Sequence, residues 1–443
     1  GRRSATVGGR TVFVVIRAWP DDAAWRERVS DVVLRALPVL GDEIGAPWPF
    51  DEPLTVAETL TRGGGGYVGV FDPGQTLIQV SYLASPGVIL HEAAHGWFNG
   101  RLVADRWIAE AFASLAAERA AAALGLAIES PELEDALLDA AFPLNAWPPL
   151  GEATRAEDDY GFAASLALAR EIAALVGDEA LRATWAAAAA GVPAYQPARR
   201  SATEPGTESG APPPDWRALL DLLEENADPD VAAELERIWR RWVIRTEDAA
   251  LLEARAEARD AYEAAVAAAA PWSLPRAIRD AMRSWQFEAA LGLMRDADAV
   301  MRQRAAVEEA AAADDLRPPD TLRVAFEGAG GLPSAAAEAA AELAAIAHIR
   351  AAEAARIAEP GPFDRLGLIG LDPDADLAAA RAAFEAGDQD RAVAAAAEAQ
   401  ATWEAVPGIA RGRMIGGLLL GAAVLLAAWL VAQRRRRQRV TRS

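Results

Sequence analysis

The chain has 443 residues, 65 acidic and 44 basic, with a formal charge of −21, 3 histidines and no cysteine. That length suits two or three domains, and the lack of cysteine excludes disulfides and thiolate metal sites. The acidic balance disfavours nucleic acid and anionic lipid as partners.

Every basic residue is arginine and alanine is abundant, as in products of GC-rich genomes, so alanine runs carry less structural information than usual. Residues 11–16 (TVFVVI) read as a strand almost at once. The chain opens Gly1-Arg2-Arg3 with neither methionine nor signal peptide. The expectation is a record whose leader, or more, is missing. Residues 22–40 read as a helix and 54–57 as a second strand, and the glycine run 63–66 opens a flexible turn. Residues 76–82 (TLIQVSY) alternate as a strand just before the most informative segment.

That segment is His91-Glu92-Ala93-Ala94-His95, an HExxH pattern flanked by apolar residues. On a helix, residues four apart share a face, so two imidazoles can hold one Zn²⁺ with the glutamate between them as general base. Two of the 3 histidines fall in this pentapeptide. The third ligand is sought nearby. Glu110 lies inside the apolar helical stretch 106–114, where a lone carboxylate is expensive unless paired or metal-bound. Asp105 and Glu118 stand as alternatives, and a metal-free histidine pair is the plainer reading of the pattern.

HEAAHGWFNG followed by WIAEAFAS resembles HELAHQWFGN followed by WLNEGFAS, the signature of gluzincin zinc peptidases of the aminopeptidase N type. The resemblance implies an α+β fold: a thermolysin-like catalytic domain with a mixed sheet and a helical lobe. It implies His91, His95 and Glu110 as ligands of one Zn²⁺ per chain, Glu92 as general base, and a peptide lying along the 76–82 strand. It is strong over about twenty-five residues and weak over 11–245. Fourteen residues separate His95 from Glu110, against eighteen in the family; the difference falls in the loop between two helices. Asn99-Gly100 reverses the family's Gly-Asn, and Ala111 replaces a glycine. The family's Gly-x-Met-Glu-Asn segment, whose glutamate holds a substrate's amino terminus, has no counterpart between Gly63 and Ser85. Exopeptidase and endopeptidase both stay open. The family also suggests a transition-state tyrosine. Here Tyr160 lies two residues before the matching place, which Phe162 takes; Tyr160 is either an oxyanion donor or a helix-capping aromatic.

Residues 196–214, rich in proline, serine and alanine, read as a mobile loop, and helices resume at Asp215 to close the catalytic unit at 247. From 248 to 408 the chain reads as helical, with a break near Leu332-Pro333 and another at Pro360-Gly361-Pro362. Segments 277–301 and 379–403 both read as helix, short turn, helix, the second resembling a tetratricopeptide half-unit. This region is a stalk or a protein-docking surface. His348 within it has no partner motif and reads as a plain helix-face residue.

Residues 414–432 contain no charge and extend roughly 28 Å as a helix, enough for a bilayer core. Arginines 434–437, 439 and 442 follow. The domain plan is therefore 1–247 peptidase, 248–408 helical region, 409–433 transmembrane helix and 434–443 cytoplasmic tail, with the body outside the cell membrane. The function implied is a membrane-anchored extracytoplasmic zinc metallopeptidase acting on peptide or protein substrates. The alternative is a catalytically weak gluzincin-fold ectodomain serving as a protein-binding receptor or scaffold.

Overall fold

The computed structural model describes residues 2–60, 68–197 and 207–440, with side chains as far as Arg435. The glycine run 63–66 and the middle of the 196–214 loop lie outside the described residues. The protein is mixed α and β, mostly helical, with one small sheet. The chain divides into two compact units. One comprises the chain up to Glu263 together with Ile278–Leu291, and the other Ala264–Ala277 and the chain from Gly292 onward.

In the first unit the sheet has the order β1-β2-β3-β5-β4. Strands β1 (Arg2–Val7) and β2 (Arg10–Arg17) form a hairpin whose two turn residues, Gly8 and Gly9, both have positive φ, the geometry that suits right-twisted strands. β2 pairs in parallel with β3 (Leu54–Thr59), and β3 with β5 (Leu77–Ser81). β4 (Gly69–Asp72) runs antiparallel to β5 and forms the sheet edge. The alternation that marks these strands in the sequence is the burial of one face: Val12, Val14, Ile16, Leu54, Val56, Ile78 and Val80 are all buried.

Helix α1 (Ala23–Ile44) connects β2 to β3. Asp22 caps it by accepting the Trp25 N–H at 2.8 Å, and Gly45 ends it in the left-handed region. Helix α2 (Pro86–Ala94) follows β5 and packs beside α1 and α3 (Arg106–Leu124). Helix α4 (Arg155–Ala189) starts with a Thr154–Glu157 capping box and is broken at Gly177, which has φ 80 and ψ 164. An aromatic wedge locks these helices together. Trp185 of α4 meets Phe98 at 5.2 Å and Phe112 of α3 at 4.7 Å, both edge-on.

The first unit runs past the expected boundary at 247, and a buried ion cluster explains why. Arg255 of α7 (Ala249–Ala269) donates to Asp221 at 2.5 and 2.9 Å and to Glu224 at 2.9 and 3.0 Å. Both carboxylates belong to α5 (Trp216–Asn226), and Trp285 and Tyr195 also donate to Asp221. A guanidinium with its hydrogen bonds satisfied is tolerated in a core, whereas removing it would strand two buried carboxylates. α6 (Ala232–Trp242) completes this lobe.

The second unit is helical, as the sequence predicts. Both expected helix pairs form. α8 (Arg276–Arg283), most of which falls in the first unit, leads into α9 (Phe287–Ala313), most of which lies in the second. Within the second unit α13 (Pro373–Glu385) turns at Gly387, with φ 82, into α14 (Gln389–Val440). Between them lie α10 (Thr321–Glu327), α11 (Gly331–Ala355) and α12 (Pro362–Leu368). The break expected near Leu332-Pro333 falls at 328–330, and Pro333 is accommodated in the first turn of α11. The core gathers Val307, Ile346, Ile349, Leu377 and Phe384 around small residues of α14. α14 runs unbroken through 414–432 and is long and apolar enough to cross a membrane. α4 is also long and apolar, but its apolar face is packed in the first unit.

Glu342 of α11 sits fully buried in this helical core, accepting a hydrogen bond from Thr321 at 2.9 Å. Burial pushes its carboxyl up to about 7; the Thr321 bond opposes the rise and Glu338 adds to it. With the folded value above the ordinary 4.5, the folded state holds the proton longer, so stability falls as pH rises from about 4.5 to 7. Glu342→Gln keeps the acceptor and removes the titration. Thermal melts should show variant and wild type alike at pH 5 and the variant ahead at pH 8, by on the order of 3 kcal/mol. An equal gap at both pH values would contradict this.

Candidate metal centre

Ser85 caps α2 through its hydroxyl, which accepts the Val88 N–H at 3.4 Å, and Pro86 occupies the first turn, where no N–H is needed. His91 and His95 then fall one turn apart. The helix stops at His95, and the chain folds tightly beneath it. Gly96 lies flat on the Trp48 ring, so closely that a Cβ would come within 2.4 Å of it. Asn99 holds the turn, donating to the carbonyl of His95 at 2.8 Å and accepting the Arg101 N–H at 3.0 Å.

Helix α3 brings Glu110 to the pair. Its Oε2 lies 3.2 Å from His91 Nε2 and 3.3 Å from His95 Nε2, and the two imidazole nitrogens are 3.0 Å apart. The competing ligands are engaged elsewhere. Asp105 accepts the Trp216 N–H at 2.7 Å, and Glu118 is paired with Arg170. Among the described residues, His91, His95 and Glu110 are the one group of three or more such side chains whose ligand atoms converge closely enough for a metal.

The donor set fits zinc. Tetrahedral bonds of about 2.0–2.1 Å place neighbouring ligand atoms roughly 3.3 Å apart, close to the observed triangle. Outer contacts also fix the rings. His95 Nδ1 lies 2.7 Å from the Phe98 carbonyl, which can only accept, so Nδ1 carries the proton and Nε2 faces the triangle. His91 Nδ1 lies 3.1 Å from the Ser114 hydroxyl, which can accept in the same way. Two neutral rings held like this would aim bare nitrogen lone pairs at each other and at a carboxylate. A proton or a metal must relieve that repulsion. Burial alone would lower the His95 value, but Glu110 overrides it, and His95 without metal is pushed up to about 9. Burial would raise Glu110, yet the two imidazoles hold it far below the ordinary carboxylate range.

Glu92 is buried on the same helix. Burial raises its carboxyl above the usual range, while His91 and His95 partly offset the rise. Strand β4 crosses directly over it. A Cβ on Gly69 would lie 2.7 Å from Glu92 Oε1, so only glycine lets the strand approach so near. Beyond lies a cleft of about 640 Å³, walled by Val70, Phe71, Val88, Ile128, Leu150 and Phe162 and floored by His91, Glu92, His95 and Glu110.

Two expectations fail here. Tyr160 does not reach the cleft; its ring packs against Phe142 at 5.1 Å and is buried. Two residues along a helix turn through about 200°, so with Phe162 in the cleft wall Tyr160 points nearly the opposite way. The 76–82 strand is not the free edge either. β5 has β3 on one side and β4 on the other, so its backbone groups are already used. β4 is the strand that borders the cleft. Asp72, the one carboxylate on it, is turned back to the Gly74 N–H at 2.8 Å and the Gln75 side chain at 2.6 Å. His348 is an exposed residue of α11, as expected.

Sequence reasoning passed over Ser114, Asn99 and Gly69. Ser114 was within reach, because it stands four residues after Glu110 and so shares its face. No protein-family model matches the chain, and no curated protein and no solved structure matches it either.

A metal held by this triangle should be bound about 10–100-fold more weakly in Ser114→Ala, the usual penalty for losing a ligand's outer partner. Competition with a chelator reads this directly, and an unchanged affinity would mean that Ser114 does not orient His91.

Proposed function

We propose that this protein is a membrane-anchored zinc metallopeptidase of the gluzincin kind with a thermolysin-like catalytic domain. The observation that carries the reading is the triangle of His91 Nε2, His95 Nε2 and Glu110 Oε2 with the buried Glu92 beside it. A zinc ion bound there supplies Lewis acidity, polarising a carbonyl and making water acidic near neutral pH. Glu92 takes a proton from the attacking water and passes it to the leaving amine. The desolvated surroundings strengthen each charge interaction.

The peptide is held in the cleft that β4 borders, with its scissile bond above Glu92, whose carboxylate accepts the Phe71 N–H of that strand. Because Asp72 is occupied within its own turn, β4 offers no carboxylate to hold a free amino terminus. The cleft lining does carry one further carboxylate, Glu129, so exopeptidase and endopeptidase readings both stand. The charge-free 414–432 stretch followed by the arginine cluster supports a single span with a cytoplasmic tail and an extracytoplasmic body.

One observation favours a second reading. Phe162 occupies the wall where a phenol would stabilise an oxyanion, and Tyr160 is turned away. On that reading the cleft binds an extended polypeptide and hydrolyses it weakly or not at all.

Glu92→Gln separates the two. The variant should keep its zinc and lose peptide hydrolysis by about 10²–10⁴-fold, the usual share of a general base. Equal turnover in variant and wild type would remove Glu92 from the mechanism. Tight peptide binding without turnover in either would favour the second reading.

A further inference from the structure

Outside the apolar stretch of α14, the second unit exposes four large apolar side chains among its described residues, and three of them crowd into residues 363–371. These are Phe363, Ile369 and Leu371, with 38%, 63% and 39% exposure. Phe363 lies in the first turn of α12 and Ile369 and Leu371 follow its end, within the sequence PFDRLGLIGL. Its two charged residues are engaged at the start of the helix. Asp364 accepts the Gly361 N–H at 3.0 Å, and Arg365 Nε donates to the Pro360 carbonyl at 3.0 Å. The end of α12 and the turn after it carry no charge until Asp372.

α12 is fastened to α14 just ahead of the charge-free stretch. Gly367 rests against α14, where a Cβ would lie 2.5 Å from the Val406 carbonyl oxygen and 3.3 Å from the Ala410 Cβ. Arg413 Nη1 donates to the carbonyls of Leu366 at 2.7 Å and Gly367 at 3.0 Å, satisfying last-turn acceptors of α12. The next residue, Met414, begins the charge-free stretch, and α14 is continuous across the junction. Ala410 is about 6 Å before Met414 along the helix axis, and Arg413, which binds the last-turn carbonyls of α12, immediately precedes it. The headgroup region of a bilayer occupies roughly 5–7 Å on each side of the hydrocarbon core. An apolar, charge-free turn at this depth is matched to the boundary between headgroups and acyl chains.

We propose that α12 and the turn after it form a membrane-interface foot, with Phe363, Ile369 and Leu371 entering the leaflet beside α14. The occupant of this surface is lipid. The inference rests on the reading of 414–432 as a membrane span, which supplies the bilayer at that level.

The absence of cysteine makes the test clean. Ile369→Cys, Leu371→Cys, Leu425→Cys and Ala386→Cys are each made in the full chain and labelled with an environment-sensitive fluorophore. Each is placed in phosphatidylcholine vesicles with or without brominated acyl chains. Ala386 is exposed beside the α13–α14 turn, and Gln389 is about 37 Å along α14 from Met414. Brominated lipid should quench the labels at 369, 371 and 425 and leave that at 386 bright. Quenching at 425 without quenching at 369 and 371 would overturn the foot and leave the span intact. No quenching at 425 would overturn the span, and the foot with it. Blue-shifted emission at 369 and 371 that ignores bromine and grows with protein-to-lipid ratio would identify a second copy of the chain as the occupant, which also overturns the proposal.

Discussion

Two imidazole nitrogens and a carboxylate oxygen, gathered within about 3 Å of one another inside a protein, form an arrangement that repels itself unless something positive sits among them. In this protein that constraint organises the first unit. α2 must end at His95 so that the chain can return the Phe98 carbonyl to the ring. α3 must lie close enough to present Glu110 and, one turn later, Ser114. The edge strand β4 must cross above Glu92, and glycine at 69 is what permits the approach.

Holding such a cluster requires a stiff surround. The wedge of Phe98, Phe112 and Trp185 ties the end of α2 to α3 and α4, and Gly96 seats the turn after His95 against Trp48. Farther out, Arg255 binds α7 to α5 through two buried carboxylates. Buried ion clusters of this type add little net stability, but they penalise any packing that separates their members. The lobe is thereby fixed as one piece, and the unit extends beyond the point where the sequence suggested it would close.

How much of this could be read from residues alone varied with the range of the interaction. The convergence of His91, His95 and Glu110 was legible because a helix converts four-residue spacing into a shared face, and Glu110 stood out as a charge in an apolar run. Strands β2, β3 and β5 were legible because one face of each is buried. β1 was not, since five of its six residues are exposed or half-exposed and show no alternation. β4 was missed because four residues after a glycine run carry almost no pattern, and that omission put β5 at the edge in its place. The two-residue offset of Tyr160 from Phe162 was legible in the sequence; that on a helix it is the difference between facing the cleft and facing away from it needed the structure. The reach of the first unit past 247 depends on a pairing of residues 34 apart that no local pattern encodes.

The central claim is that His91, His95 and Glu110 hold one zinc ion. Elemental analysis of the full-length chain purified in detergent, beside a His95→Ala variant of matching helical content, tests it most directly. Close to one zinc per wild-type chain and almost none in the variant is the expected result. A folded wild type that takes up no zinc when supplied with it would contradict the account and leave the cleft as a binding surface.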